Sequence, residues 1–327
     1  MLSGGPQLSL AWTIGTTAVI TWGAVRSYDF IQGERICADL IDEFALHRRS
    51  IFDLDRVWAE NPARSRAVVS LTTIPSRICL ISETLKSLMR QNLAPARIVL
   101  NLPRWSRREC RAYEVPEALA DLHAVEITEC DDWGPATKLI PTVLRSAPSQ
   151  PIIVVDDDRI YPPDFIADLE NASRLHPGSA LCFSGWRVPD DLTDRPTTLW
   201  SDLMMKPPVP IKATRVNALH EVDILQGQGG YYIYPEFFDA AELMDYSQAP
   251  EAAFFVDDVW ISAHCKARKF VIPAQRCGYP IKLHAAHYKS TSVALVNRGS
   301  GTPETRNNTI LIRHMRNKWL CSTKDSG

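Results

Sequence analysis

The sequence predicts an α/β fold, with a mostly parallel central sheet flanked by helices, on three observations. From Arg66 onward, short β-branched runs alternate with apolar residues at helical spacing. The most strand-like run, Pro151 to Val155, breaks off abruptly into Asp156-Asp157-Asp158. The 327 residues are 45% hydrophobic and 23% charged, an ordinary globular balance that excludes disorder for most of the chain.

Residues 1–25 carry no charged side chain, and Leu8 to Val25 is about as long as the ~20 residues that span a bilayer. Four threonines and two glycines dilute the run and no basic residue precedes it, so a peripheral helix is the expectation and a membrane anchor the alternative. Residues 26–65 form a helical lead-in, with Ile36, Leu40, Ile41, Phe44 and Ala45 at helical spacing. The main domain, 66–290, opens with the strand Ala67 to Leu71, which runs into Thr72-Thr73-Ile74-Pro75. A helix follows, carrying Leu80, Thr84, Leu85, Leu88 and Met89; Ile98 to Leu102 and Ala124 to Ile127 are the next strands. Gly134-Pro135 opens a helix to Leu144, and Pro162-Pro163 starts another with Phe165, Ile166 and Leu169 on one face. Residues 291–327 are a loop and a covering helix, Thr309 to Leu320, whose Arg313, Arg316 and Lys318 make either a solvated face or a contact to an anionic ligand.

The 36 basic and 38 acidic side chains nearly cancel, leaving no electrostatic footprint for nucleic acid. The 23 prolines against 15 glycines imply many loops and argue against a coiled coil. The eight cysteines contain no C-x-x-C pair, so reduced thiols and a cytoplasmic location are expected, with membrane association resting on residues 1–25 alone.

In a parallel sheet, ligands bind outside the carboxyl ends of the strands. Both the TTIPSR loop and Asp156-Asp157-Asp158 fall at such ends. Adjacent carboxylates repel and raise one another's pKa unless a cation is present, so the triplet is either an acidic turn or a site for a hard divalent ion, Mg²⁺ or Mn²⁺. A second acidic pair, Asp257-Asp258, stands where a helix begins and is either a stabilising helix-end charge or a general base. Between them lies Gln226-Gly227-Gln228-Gly229-Gly230, whose glycines permit close backbone approach to a ligand.

Taken in order, VVSLTTIPSR, TLKSLMRQNLAPARIVLNLP, DDWGPATKLIPTVL, IIVVDDDRIYPPDF, LQGQGGYYIYP and FFVDDVWIS resemble a glycosyltransferase of the GT-A fold, family-2-like in the broad sense. The resemblance covers Arg66 to Lys289 and implies a Rossmann-like nucleotide-sugar-binding sheet. It departs in having DDD for the usual single-spacer D-x-D motif and Asp257-Asp258 for Glu-Asp. Which aspartate holds the metal, and which of the pair is the base, are therefore open.

What the resemblance implies is a donor site in which Thr72, Thr73 and Arg77 contact base and phosphates, with Asp132 and Lys138 beside nucleotide or sugar. Asp156 would face ribose and metal, Asp158 would hold the metal, and Asp157 would share that shell. His287 is the candidate for a late metal ligand, ahead of His284 and His264. Gly227, Gly229 and Gly230 would form the acceptor loop, and Asp258 would be the base, with Asp257 the fallback. The implied cofactor is Mn²⁺ or Mg²⁺, and the donor a nucleotide-diphospho-sugar such as a UDP-sugar. The acceptor would be a hydroxyl, a saccharide in polysaccharide biosynthesis, reacting with inversion. A sugar nucleotidyltransferase is the rival enzyme class, but it needs a glycine-rich phosphate loop after the first strand, and TTIPSR has no glycine. A non-catalytic, divalent-ion-dependent carbohydrate-binding module is the third reading, and it leaves Asp257-Asp258 without a purpose.

Overall fold

The structure, a computed structural model, describes residues 5–291, 299 and 301–320; residues 1–4, 292–298, 300 and 321–327, Cys321 among them, lie outside the described residues. Strand β1 (Val68–Thr72) lies between β2 (Arg97–Pro103) and β4 (Ile152–Val154), and β3 (Val125–Cys130) extends the sheet past β2. All three of these pairings are parallel, with Ser70 opposite both Val99 and Val154. Strands covered on both faces read as unbroken apolar runs, and β4 is fully buried along its length. The sheet continues past β4 through Tyr231–Ile233, Ala180–Cys182, Lys269–Val271 and His220–Val222 to eight strands. Three of those four further pairings are antiparallel.

The chain runs outward from β1 through β2 to β3, then returns to β4 on the other side of β1. That reversal opens a crevice at the carboxyl ends of β1 and β4, where neighbouring connections leave in opposite directions. Thr72-Thr73 and Asp156 stand at its two lips.

The predicted helices form, with two differences of detail. The expected helix from Pro135 to Leu144 is a 3-10 turn, Gly134–Lys138, followed by a helix, Ile140–Arg145. Pro141 has no N–H for the preceding turn, and the chain breaks at Leu139 (φ −122°, ψ −51°). In the lead-in, α1 (Gly5–Gln32) is followed by α2 (Ile36–His47) and α3 (Ile51–Glu60). The apolar spacing marks α2 as a helix, yet two of the three residues it buries are acids: Asp39 and Glu43 are covered with Leu46, whereas Leu40, Ile41 and Phe44 are exposed. Charge pairing decides that orientation. Asp39 pairs with Arg276 (3.0 Å), Asp42 with Arg90 (2.6 Å), and Glu43 accepts the N–H groups of Lys282 and Leu283.

Helix α1 leaves Trp12, Ile14, Val19, Ile20 and Trp22 exposed, and among the described residues no helix is long and apolar enough to cross a membrane. The covering helix is Asn307–His314, which buries Leu311 and Ile312, continued after Met315 by Arg316–Leu320. Arg313 donates to Thr193 (2.8 Å), Lys318 lies 3.5 Å from Glu242, and Arg316 is exposed, so this basic group lines no cleft with the acidic motifs.

Candidate functional site

A cleft of about 300 Å³ occupies the crevice between β1 and β4. Its walls bring together Thr72, Thr73, Arg77, Asp132, Lys138, Asp156, Asp157, Asp158, Asp257 and Asp258, from four separate stretches of chain. The two acidic motifs, about a hundred residues apart in sequence, thus share one cavity. Six carboxylates line it against three cations, Arg77, Arg108 and Lys138. That excess of negative charge is the donor chemistry a hard divalent ion satisfies.

Lys138 is the centre of the arrangement. Its Nζ lies 2.7 Å from Asp156, 2.8 Å from Asp257 and 3.4 Å from Asp258, and the residue is only 5% exposed. Burial opposes its charge, but the carboxylates of Asp156, Asp257 and Asp258 outweigh burial and hold it well above the usual lysine range. The Asp257 contact is ionic rather than a directed hydrogen bond, since its buried Oδ2 lies off the hydrogen-bonding line. The turn bearing Lys138 is fixed from below: Ser70, in the middle of β1, donates its hydroxyl to the Lys138 carbonyl (2.6 Å), and Thr142 and Asn101 close a buried polar network around that hydroxyl.

The three consecutive aspartates have different surroundings. Asp157 is fully engaged, accepting from Thr73 Oγ1 on Oδ2 (2.5 Å) and from Arg77 on Oδ1 (3.3 Å). Burial and the neighbouring Asp158 push its carboxyl up to about 6, against the pull of Arg77. Asp158 meets Arg77 more distantly, at 3.5 Å, and burial together with Asp156 raises its pKa as well. The side chains of Asp156 and Asp158 are 29% and 37% exposed, so these two, not Asp157, present oxygens to the cleft.

Asp257 and Asp258 open the helix Asp257–His264, as expected. Asp258 does not cap that helix; the residue before it, Val256, is the N-cap, and no side chain caps it. Asp258 Oδ1 instead accepts the backbone N–H of Gly227 (3.1 Å). Burial and the charges of Asp257 and Asp156, against the pull of Lys138, push Asp258 up to about 7. A carboxylate tuned to neutrality suits a general base.

The glycines serve the protein's own packing. A Cβ on Gly227 would come within 2.1 Å of Lys138 Nζ and 2.4 Å of Asp156 Oδ1, so only glycine admits the ion pair there. Gly229 lies against the Ser184 backbone, and Gly230, at φ +76°, against the Phe165 ring. Of the three, Gly227 alone abuts the charged cluster. Asp132 lines the cleft while accepting the N–H groups of Arg107 and Gly134 (2.7 Å each). Arg77 also donates to the hydroxyl and carbonyl of Thr291 (3.2 Å each).

The histidines lie elsewhere. His287 Nε2 faces the Ser76 carbonyl (3.0 Å) and is not on the cleft wall. His264 Nδ1 is 2.8 Å from the Trp260 carbonyl, and its pKa is lowered by burial. His284 stands beside His47.

Three cleft residues had no part in the sequence expectation: Ser106, Arg108 and Tyr113. Tyr113 donates to the Thr73 carbonyl (2.9 Å), and burial lowers the pKa of Arg108 while Asp257 and Asp132 oppose that shift. Their signal was the basic run Arg104, Arg107, Arg108 just after β2, at a carboxyl end beside β1.

No family model matches the chain, and neither does any curated protein. Among solved structures it is similar to residues 1–349 of TarS from S. aureus, at 12% identity, covering 80% of this chain and 74% of that one, with a TM-score of 0.43. It is similar to the mannosyltransferase PcManGT of Pyrobaculum calidifontis, solved with GDP-Man and Mn²⁺, at 16% identity, 89% and 86% coverage and a TM-score of 0.40. A third is the 2-C-methyl-D-erythritol 4-phosphate cytidylyltransferase of Francisella tularensis, at 12% identity, 69% and 97% coverage and a TM-score of 0.38. At such values the likeness concerns the course of the chain alone; what the cleft does has to be read from its own residues.

Proposed function

We propose that this chain is a GT-A-type glycosyltransferase that moves a sugar from a nucleotide-diphospho-sugar onto a hydroxyl acceptor with inversion. One observation carries the reading: the β1–β4 crevice joins a strand-end aspartate triplet to a second acidic pair that does not cap its own helix. Asp156 and Asp158 are the exposed carboxylates of the triplet, so they would hold Mn²⁺ or Mg²⁺, and Asp157 would fix the loop through Thr73 and Arg77. The ion's contribution there is to neutralise the diphosphate leaving group.

The chain's own residues do the rest. Thr72, Thr73, Arg108 and Tyr113 form the wall on which the nucleotide would lie, and Arg108 is the cation of that wall a phosphate would meet. Asp258 takes the proton of the acceptor hydroxyl as its oxygen attacks the anomeric carbon. Lys138 keeps Asp258 ionised near neutral pH and holds Asp156 and Asp257 at fixed distances from it. The acceptor, a saccharide hydroxyl, would approach from the Gly227 side, where Asp258 meets the backbone.

Calorimetric titration with UDP, GDP and CDP, with and without Mn²⁺, tests the donor half of this reading. One diphosphate should bind with Mn²⁺-dependent affinity in the wild-type protein, and Asp158→Ala should remove the Mn²⁺ dependence while the protein stays folded. Binding of none of them, or Mn²⁺-dependent binding unchanged in Asp158→Ala, overturns it.

A further inference from the structure

A second cluster of ligand-type side chains lies outside the cleft, where the helical lead-in meets the sheet domain. His47 ends α2, Glu83 lies in α4 (Ser82–Met89), and His284 immediately precedes the helix Ala285–Ser290. One nitrogen or oxygen of each lies within 4.8 Å of the others. His47 Nδ1 already lies 3.2 Å from Glu83 Oε1, so imidazole and carboxylate face one another. The rings of His47 and His284 are edge-on, 5.8 Å apart at 64°, rather than stacked.

Two further facts argue for an occupant. Glu83 is 3% exposed and its Oε2 has no partner, although Lys86 Nζ (3.0 Å) and His47 both engage Oε1. An ion pair with Lys86 therefore leaves half of a buried carboxylate unsatisfied, a state that costs stability. The junction is also built: Glu43, one turn before His47, accepts the N–H groups of Lys282 and Leu283 at 2.8 and 2.7 Å and so seats the segment bearing His284 against α2. We propose that His47, Glu83 and His284 form a site for a divalent transition metal, Zn²⁺, that ties the lead-in to the sheet domain. Two imidazoles and one carboxylate suit zinc better than Mg²⁺ or Ca²⁺, and the exposure of His47 leaves room for a water as fourth ligand. Lys86 stays on Oε1, as carboxylates that bind metal are commonly hydrogen-bonded from behind. The bound ion would tie α2 and α4 to the segment leading to Thr291, the residue that grips Arg77.

The test strips the full-length protein with EDTA and titrates it with ZnCl₂, and separately with CoCl₂, in wild type, His47→Ala, His284→Ala and Asp158→Asn. Wild type should retain one zinc per chain after gel filtration at this site, and its Co²⁺ adduct should show the visible bands of a nitrogen-ligated tetrahedral ion. Each histidine variant should weaken zinc by at least the 10–100-fold that a change behind the ligands costs, and should lose the cobalt bands. Asp158→Asn should keep both. Both histidines are partly exposed, so their variants should fold even where a change at buried Glu83 would not. No retained zinc in wild type, equal retention in the histidine variants, or loss confined to Asp158→Asn overturns the proposal.

Discussion

Replacing Lys138 with methionine removes the one cation that three carboxylates share, while keeping the length of the side chain. Its ammonium is 2.7, 2.8 and 3.4 Å from Asp156, Asp257 and Asp258. Breaking a buried ion pair from one side typically costs 3–5 kcal/mol, because the remaining charge is left uncompensated. The side chains of Asp156 and Asp258 are 29% and 30% exposed, so solvent screens them and the loss should sit near the lower end, about 3 kcal/mol at pH 8. The sign with pH follows from both partners. Lys138 has a folded-state pKa above its unfolded value, so its contribution is present throughout the range below about 10 and is lost only as pH rises past that. Asp258 loses its need for a cation as it protonates, near 7. Urea unfolding at pH 8 and pH 5 should therefore show a larger loss at pH 8. Equal stability of the two proteins at pH 8, or the same loss at both pH values, would refute the reasoning.

Asp258→Asn should lower the transfer rate by roughly 10²–10⁴-fold with the donor dissociation constant little changed, and should remove the rise in wild-type rate through about pH 7; a folded variant at near-wild-type turnover would contradict this. The raised pKa of Asp258 also means that ionising it costs stability as pH climbs from its unfolded value towards 7, so Asp258→Asn should be the more stable protein at pH 8, by chemical unfolding. Asp157→Asn should leave a Mn²⁺ response that Asp158→Ala lacks, because Asp157 is engaged by Thr73 and Arg77, as nucleotide titrations of both variants would show. Gly227→Ala should sharply reduce activity, because its Cβ falls 2.1 Å from Lys138 Nζ; unchanged kinetics would mean that the ion pair is not needed. A chain starting near Ser27 should bind donor as the full chain does, since every cleft residue follows Arg66, and calorimetry on the truncated protein checks it.

Much of the site was legible because parallel strands place chemistry at their carboxyl ends. Thr72, Thr73 and Asp156 follow the apolar runs of β1 and β4 directly, and two such runs suffice to locate the crevice. Asp257-Asp258 was legible as a helix start, but whether it capped the helix depended on Gly227, some thirty residues earlier, and only the fold shows that contact. Arg108 and Tyr113 come from an irregular loop, where no periodicity marks which side chain turns inward. The buried face of α2 was hidden for a different reason. Hydrophobic spacing identifies a helix, but Asp39 and Glu43 are buried by partners near residue 280, a pairing no local pattern records. The second half of the sheet is built from three-residue strands, too short for alternation to register.

The central claim is that the β1–β4 crevice transfers a sugar from a nucleotide donor. A panel of UDP-, GDP-, CDP- and dTDP-sugars, incubated with the full-length protein, Mn²⁺ and mixed saccharide acceptors, tests it through release of nucleoside diphosphate. The account predicts release from one donor class, stimulated by acceptor and abolished in Asp158→Ala and Asp258→Asn. Consumption of a nucleoside triphosphate with a sugar phosphate to give pyrophosphate, or donor binding with no diphosphate released from any member of the panel, would contradict it.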